Sequence, residues 1–148
     1  MKQLITLLFA FFLSGYSQEI DKSFDAKDNI IPIFMAFDGI AIATMWTIDI
    51  HKNNLLKDGF FKSEEEGKLF WPHLIAEYGT ALGLVVSAYG LYNNKEWAKS
   101  SSLISLGALT YTSLSNMGWS LAKRERMIYA VPMLISLAGA GLSITIIF

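Results

Sequence analysis

Residues 69–92 read LFWPHLIAEYGTALGLVVSAYGLY, an apolar run in which His73 and Glu77 are the only residues that are acidic, basic or histidine. A helix rises about 1.5 Å per residue, so about 20 residues cross the roughly 30 Å hydrocarbon core of a bilayer. The run is longer than that, and its apolar residues are continuous rather than alternating. It predicts a membrane-spanning helix, because a helix satisfies all its backbone hydrogen bonds within the segment.

Three further apolar runs of similar length cover residues 30–50, 101–122 and 127–148. Charged residues make up 17% of the chain, against about 25% in soluble domains. Most of these charges lie between the runs, whereas a soluble amphipathic helix carries charge on every turn. Short turns join the last three runs, which makes consecutive helices antiparallel neighbours. The sequence therefore predicts an all-α fold, an integral membrane four-helix bundle with up-and-down topology.

The first residues, 1–17, have the features of a signal peptide. Lys2 supplies a positive charge, residues 4–13 form an apolar core, and Gly15 and Ser17 are small residues before a cleavage site. The apolar core is too short to cross a bilayer as a helix. We expect a cleaved signal peptide, and the alternative is an uncleaved short helix beside the bundle.

The positions of lysine and arginine predict the orientation. Residues 18–29 form a polar segment before the transmembrane domain, residues 30–148. With that segment outside, the inner loops 51–68 and 123–126 hold seven lysines and arginines, and the outer segments hold four. Positive residues concentrate on the cytoplasmic side, and a signal peptide predicts the same direction. We therefore expect a multi-pass membrane protein with both termini outside.

Polar side chains inside the runs form the candidate site. Asp38 and Glu77 are carboxylates within spans, where ionisable groups are costly and usually face the bundle interior. Their positions place them roughly 12 Å and roughly 18 Å below the outer face. His73 lies one helical turn before Glu77, and Asn116 lies at a similar depth to His73. The four side chains are predicted to converge on one polar pocket.

The predicted ligand-binding residues add two threonines on the same faces. The full set is Asp38, His73, Glu77, Thr80, Thr112 and Asn116. Four interpretations remain open: a structural hydrogen-bond network, acid–base chemistry by Asp38, His73 and Glu77 on a lipid-like substrate, proton or ion translocation, and metal binding. A His and a Glu four residues apart can ligate a metal, but this spacing is common by chance. No metal and no cofactor are predicted.

The stretch FWPHLIAEYGTALGLVVSAYGLY followed by SLGALTYTSLSNMGWSLAKRE resembles a group of uncharacterised small bacterial four-span membrane proteins. The resemblance covers about residues 30–148 and implies a four-helix bundle without an established activity. A fainter resemblance is to the EXPERA fold of sterol isomerases, which carry an acidic residue in the first span and a His-xxx-Glu pair in a membrane helix. The matching positions are Asp38, His73 and Glu77.

The leading interpretation is a small membrane protein with a polar pocket, acting as a binding or accessory component rather than as an enzyme. A membrane enzyme acting on a hydrophobic substrate and a proton-coupled carrier are the alternatives. The expected partners are the lipid bilayer, a larger membrane protein or further copies of the chain, and a hydrophobic small ligand. The net charge of −1 gives no reason to expect nucleic acid.

Overall fold

The computed structural model describes residues 26–52, 64–122 and 130–147. This part of the chain forms four helices: α1 (Ala26–Lys52), α2 (Glu64–Tyr92), α3 (Ala98–Ala122) and α4 (Ala130–Ile147). No strand occurs in these ranges, which confirms the all-α prediction. Three of these helices, α1, α2 and α4, contain segments long and apolar enough to cross a membrane. The predicted signal peptide and the inner loop segments 53–63 and 123–126 lie outside the described residues.

The helix α2 begins before its apolar run, at Glu64 rather than at the predicted residue 69. Residues 64–66, which precede the apolar run, form its first turn. Pro72 consequently lies in the helix interior. The predicted start at residue 69 is therefore wrong by five residues, because the prediction took the apolar run as the start of the helix.

Consecutive helices pack against each other along the chain. The packing is extensive for α1 with α2, α2 with α3, and α3 with α4, whereas α1 and α4 touch only slightly. Two contacts give the relative direction of α2 and α3: Ser87 bonds Ser105, and His73 bonds Asn116. The later residue of α2, Ser87, meets the earlier residue of α3, Ser105, and the earlier residue of α2, His73, meets the later residue of α3, Asn116. The two helices are therefore antiparallel.

The turn between α2 and α3 has a defined helix-ending geometry. The backbone N–H of Lys95 donates to the carbonyl oxygen of Gly90 at 2.9 Å, and that of Asn94 donates to the carbonyl oxygen of Leu91 at 3.0 Å. Asn94 has a φ of 51°. This pair of bonds around a left-handed residue is a Schellman motif, and asparagine tolerates that conformation better than most residues. The turn therefore stops α2 and reverses the chain within a few residues.

Close helix packing depends on glycines at two contacts. A Cβ on Gly39 of α1 would lie 2.7 Å from the carbonyl oxygen of Ala81 in α2, and one on Gly83 would lie 2.8 Å from Oγ of Ser105 in α3. Small residues allow this approach between membrane helices. Gly79, by contrast, lies on the exposed surface of α2, where a Cβ would meet nothing within 4 Å.

Most polar side chains of α3 lie inside the bundle, beside the buried Leu106 and Leu109. Its buried polar side chains are those of Ser102, Ser105, Thr112, Ser113, Asn116 and Ser120. Its exposed large apolar and aromatic side chains are those of Ile104, Tyr111, Leu114 and Leu121. The polar residues that make α3 less apolar than the other helices are therefore covered by the bundle.

Candidate polar site between the helices

Asn116 of α3 joins the two titratable side chains of α2. Its Nδ2 donates a hydrogen bond to Oε1 of Glu77 at 2.7 Å. Nε2–H of His73 donates to Oδ1 of Asn116 at 2.8 Å, since an amide oxygen can only accept. His73 and Glu77 themselves are 3.7 Å apart, beyond hydrogen-bond distance for Nε2 and Oε1. The Asn116 amide therefore connects the imidazole and the carboxyl group, because its oxygen accepts from His73 and its nitrogen donates to Glu77.

Trp46 of α1 forms the next part of the site. Its buried indole ring meets the His73 ring edge-on, with centroids 5.7 Å apart, and the Phe70 ring in the same way at 5.6 Å. The indole N–H also lies near enough to the Glu77 carboxyl group to interact with it electrostatically, although without the geometry of a hydrogen bond. Edge-to-face contacts of this kind hold aromatic rings in a fixed orientation. Trp46 therefore closes the α1 side of the His73–Glu77 pair.

Asp38 lies beside this cluster and is held by α4. The hydroxyl of Ser136 donates to Oδ1 of Asp38 at 2.8 Å. Met133, three residues earlier in α4, accepts a weak bond from Asn116 Nδ2 at 3.8 Å. Three residues correspond to about 4.5 Å along a helix. Asp38 and Glu77 thus occupy neighbouring layers, close enough for electrostatic interaction between their carboxyl groups.

Five buried side-chain polar atoms have no hydrogen-bond partner among the described residues. Two are the hydroxyl oxygens of Ser102 and Ser113, and the other three belong to the cluster: Oδ2 of Asp38, Nε1 of Trp46 and Oε2 of Glu77. An unsatisfied buried polar group costs about 1–3 kcal/mol. The site therefore offers two carboxyl oxygens and one N–H donor to any group that reaches it.

The predicted site residues divide into three groups. His73, Glu77 and Asn116 meet as the depth argument expected, whereas the bonded partner of Asp38 is Ser136. Thr80 and Thr112 are both buried. The hydroxyl of Thr112 donates to the carbonyl oxygen of Leu109 in its own helix at 3.2 Å, so it does not join the cluster through that bond.

Sequence reasoning missed Trp46, Met133 and Ser136. Trp46 continues the buried stripe of α1 that contains Asp38 and Ile42, and its helical spacing could have revealed it. Ser136 is one of three hydroxyl-bearing residues in α4, and nothing in its neighbourhood in the sequence identifies its partner. Within the described residues, no group of three or more His, Asp or Glu side chains could hold a metal ion.

These features define an all-helical protein with three helices suited to cross a membrane and a buried cluster of carboxyl, amide and imidazole groups. The chain belongs to the family defined by a domain of unknown function, DUF8058, whose model matches residues 25–148. The match agrees with the expectation of a family without an established activity, and it shows no link to bacteria or to the EXPERA fold. No curated protein and no solved structure matches the chain.

Proposed function

We propose that the protein crosses the bilayer four times, with α3 as the fourth span. The support is the distribution of side chains on α3, which covers Asn116 and the buried hydroxyl groups and exposes residues such as Ile104 and Leu121. The other helices also expose large apolar side chains, including Phe37 at 72% and Ile75 at 68%. A lipid-facing surface accounts for this exposure, because in a soluble protein such patches would be in water.

The proposed orientation has both termini outside, in a bacterial inner membrane. It is supported by the excess of lysine and arginine in the loops 51–68 and 123–126. Trp71 and Trp97 are exposed near opposite ends of α2. Indole rings concentrate at the two membrane–water interfaces, so these positions suit a helix that crosses the bilayer.

Cysteine labelling tests the orientation, since the chain contains no native cysteine. A Glu96→Cys variant, in the turn between α2 and α3, should react with a membrane-impermeant maleimide in intact spheroplasts. A Ser63→Cys variant, in the predicted inner loop, should react only after lysis. The opposite labelling pattern would show that the orientation is inverted. Labelling of both cysteines in intact spheroplasts would place both on the same side of the membrane, which would contradict a single crossing by α2 between them.

The site best supports the binding of a small ligand through a hydrogen-bonding group. The observation that carries this proposal is the set of unpaired buried atoms, Asp38 Oδ2, Trp46 Nε1 and Glu77 Oε2. A structural network would gain stability by pairing all of its members, and these three atoms are left over after the Asn116 and Ser136 bonds have formed. A hydroxyl or amide group on a ligand would satisfy both a carboxyl oxygen and the indole N–H.

Native mass spectrometry of protein released from mild detergent tests this proposal. The wild-type protein should carry an adduct of defined mass. Trp46→Phe removes only the N–H donor and should reduce the bound fraction about 5–10-fold, since one hydrogen bond contributes about 1 kcal/mol. Tyr111→Phe is the matched control on the exposed face of α3 and should keep the adduct.

Loss of the adduct in Tyr111→Phe, or equal adducts in all three proteins, would contradict binding at the Trp46 cluster. Complete absence of an adduct from the wild-type protein would favour a structural network.

An acid–base enzyme and a proton-coupled carrier would use the same carboxyl groups, Asp38 and Glu77, and both stay predictions. A larger membrane partner or self-association likewise stays a prediction.

A further inference from the structure

The contact between α1 and α4 is much less extensive than the contacts between helices that are consecutive in the chain. Its closest points are the ring of Phe34, which packs directly onto Gly139, and the hydrogen bond from Ser136 to Asp38. Only 22% of the residues of α4 are buried, compared with 44% of the residues in the apolar segments of α1 and of α2. The bundle is therefore least firmly closed along this line, which we call the α1–α4 seam, defined by Phe34, Asp38, Ser136 and Gly139.

Chain connectivity also leaves the seam free to open. Short connections link α2 to α3 and α3 to α4, whereas α1 and α4 are the first and last helices of the described chain. Their separation requires no change in a turn between them. A single hydrogen bond is worth about 1 kcal/mol net, so the Ser136–Asp38 bond is a modest barrier. The seam can open without disturbing the Schellman turn at Asn94 or the packing of Gly83 on Ser105.

The seam leads directly to the unpaired atoms. Asp38 contributes to it through Oδ1, which Ser136 occupies, while Oδ2 remains without a partner among the described residues. The layer containing Glu77 and Trp46 lies about one helical turn away, as the spacing of Met133 and Ser136 shows. A polar head that entered between α1 and α4 would meet Asp38 first and the Glu77–Trp46 pair next.

We infer that the α1–α4 seam is a lateral entrance through which a long-chain amphiphile with a hydroxyl head group reaches the site from the lipid phase. This inference rests on the proposed ligand-binding function. A hydroxyl donates one hydrogen bond, which a carboxyl oxygen of Asp38 or of Glu77 can accept, and it can itself accept a hydrogen bond from the N–H of Trp46. The alkyl chain stays between two helices that both expose apolar side chains, including Phe37 and Ile135. The Phe34 ring on Gly139 closes the entrance.

The indole of Trp46 can report arrival of the ligand. In a Trp71→Phe/Trp97→Phe/Trp119→Phe background it is the only tryptophan, because the chain has four. The probe is a long-chain alcohol carrying two bromine atoms close to its hydroxyl group, since bromine quenches indole fluorescence on contact. Reconstituted protein should show quenching that saturates with the mole fraction of the alcohol, and the quenching rate after mixing measures entry.

Closing the seam should slow entry. Phe34→Cys/Gly139→Cys, joined by a short bis-methanethiosulfonate, is expected to reduce the quenching rate at least 10-fold, and reduction should restore it. The matched control is Gly83→Cys/Ser105→Cys, where a Cβ on Gly83 would lie 3.6 Å from the Cβ of Ser105. That distance suits a disulfide, which locks α2 to α3 and leaves the seam untouched. In the disulfide-linked control, the quenching rate should equal that of the same variant after the disulfide has been reduced.

The outcomes separate the entrance from the binding site. Equal quenching rates with and without the Phe34–Gly139 cross-link would overturn the entrance, while saturable quenching would still support binding. Quenching that never saturates, or that Asp38→Asn/Glu77→Gln leaves unchanged, would overturn binding of the alcohol at this site. Phe34→Ala provides a second test without cross-linking, because removal of the ring should accelerate quenching. A slower or unchanged rate in Phe34→Ala would contradict the role of the ring.

Discussion

Replacement of Asn116 by leucine is expected to lower the free energy of unfolding by about 2–4 kcal/mol, because each stranded polar group costs about 1–3 kcal/mol. The substitution removes the donor to Oε1 of Glu77 and the acceptor for Nε2–H of His73. Glu77 is 1% exposed, so water cannot replace the lost bond. Reversible unfolding in mixed micelles of a mild detergent and sodium dodecyl sulfate measures the loss.

A double-variant cycle separates this loss from a packing defect. In a Glu77→Leu background the carboxyl group is absent, so Asn116→Leu should cost less than half of what it costs in the wild-type protein. His73 is half-buried and can turn towards solvent when its acceptor is removed. Equal costs in the two backgrounds would show that the Asn116–Glu77 bond contributes little and that the side-chain volume of Asn116 matters instead.

Gly39→Leu is expected to destabilise the protein by about 3 kcal/mol or more, the upper part of the range for overpacked cores. A Cβ at this position would already lie 2.7 Å from the backbone carbonyl oxygen of Ala81, and backbone cannot move aside as a flexible side chain can. α1 must therefore shift away from α2. The shift should also disturb the hydrogen bond of 2.9 Å between Tyr78 and Thr47. Unfolding in mixed micelles measures the loss, and the emission maximum of Trp46 in the Trp71→Phe/Trp97→Phe/Trp119→Phe background reports the displacement.

Gly107→Leu is the matched control for this substitution. Gly107 lies on the exposed face of α3, and a Cβ there would meet nothing within 4 Å. Leucine has a higher helix propensity than glycine by up to about 1 kcal/mol, so the control should be neutral or slightly stabilising. A loss in Gly107→Leu as large as in Gly39→Leu would show that the effect comes from leucine itself. No loss in Gly39→Leu would contradict the close approach of α1 and α2.

Much of the helical architecture could be predicted from the sequence. The lengths of the apolar runs located α1, α2 and α4, because a segment that must hide its backbone polar groups from lipid is both long and apolar. The helix starts were less accurate, because Glu64 and its neighbours are charged and yet helical. Counting residues from the ends of the runs placed His73 and Asn116 at one depth, and they are hydrogen-bonded.

The identity of each contact within the site depends on the rotation and tilt of the helices. From their depths alone, Asp38 and Glu77 were both expected to line one pocket. The rotation of α4 about its own axis places Ser136 against Asp38. That rotation follows from packing, because Phe34 fits only where residue 139 has no side chain.

The sequence by itself determined that the chain forms long apolar helices with a few polar groups at particular depths, since length and hydropathy are properties of each segment alone. Only the tertiary structure decided which groups meet. It brought Trp46 to the Glu77 carboxyl group, left Oδ2 of Asp38 without a partner among the described residues, and left α1 and α4 loosely joined. These are relations between segments far apart in the chain, and close packing at a few small residues such as Gly39 sets them.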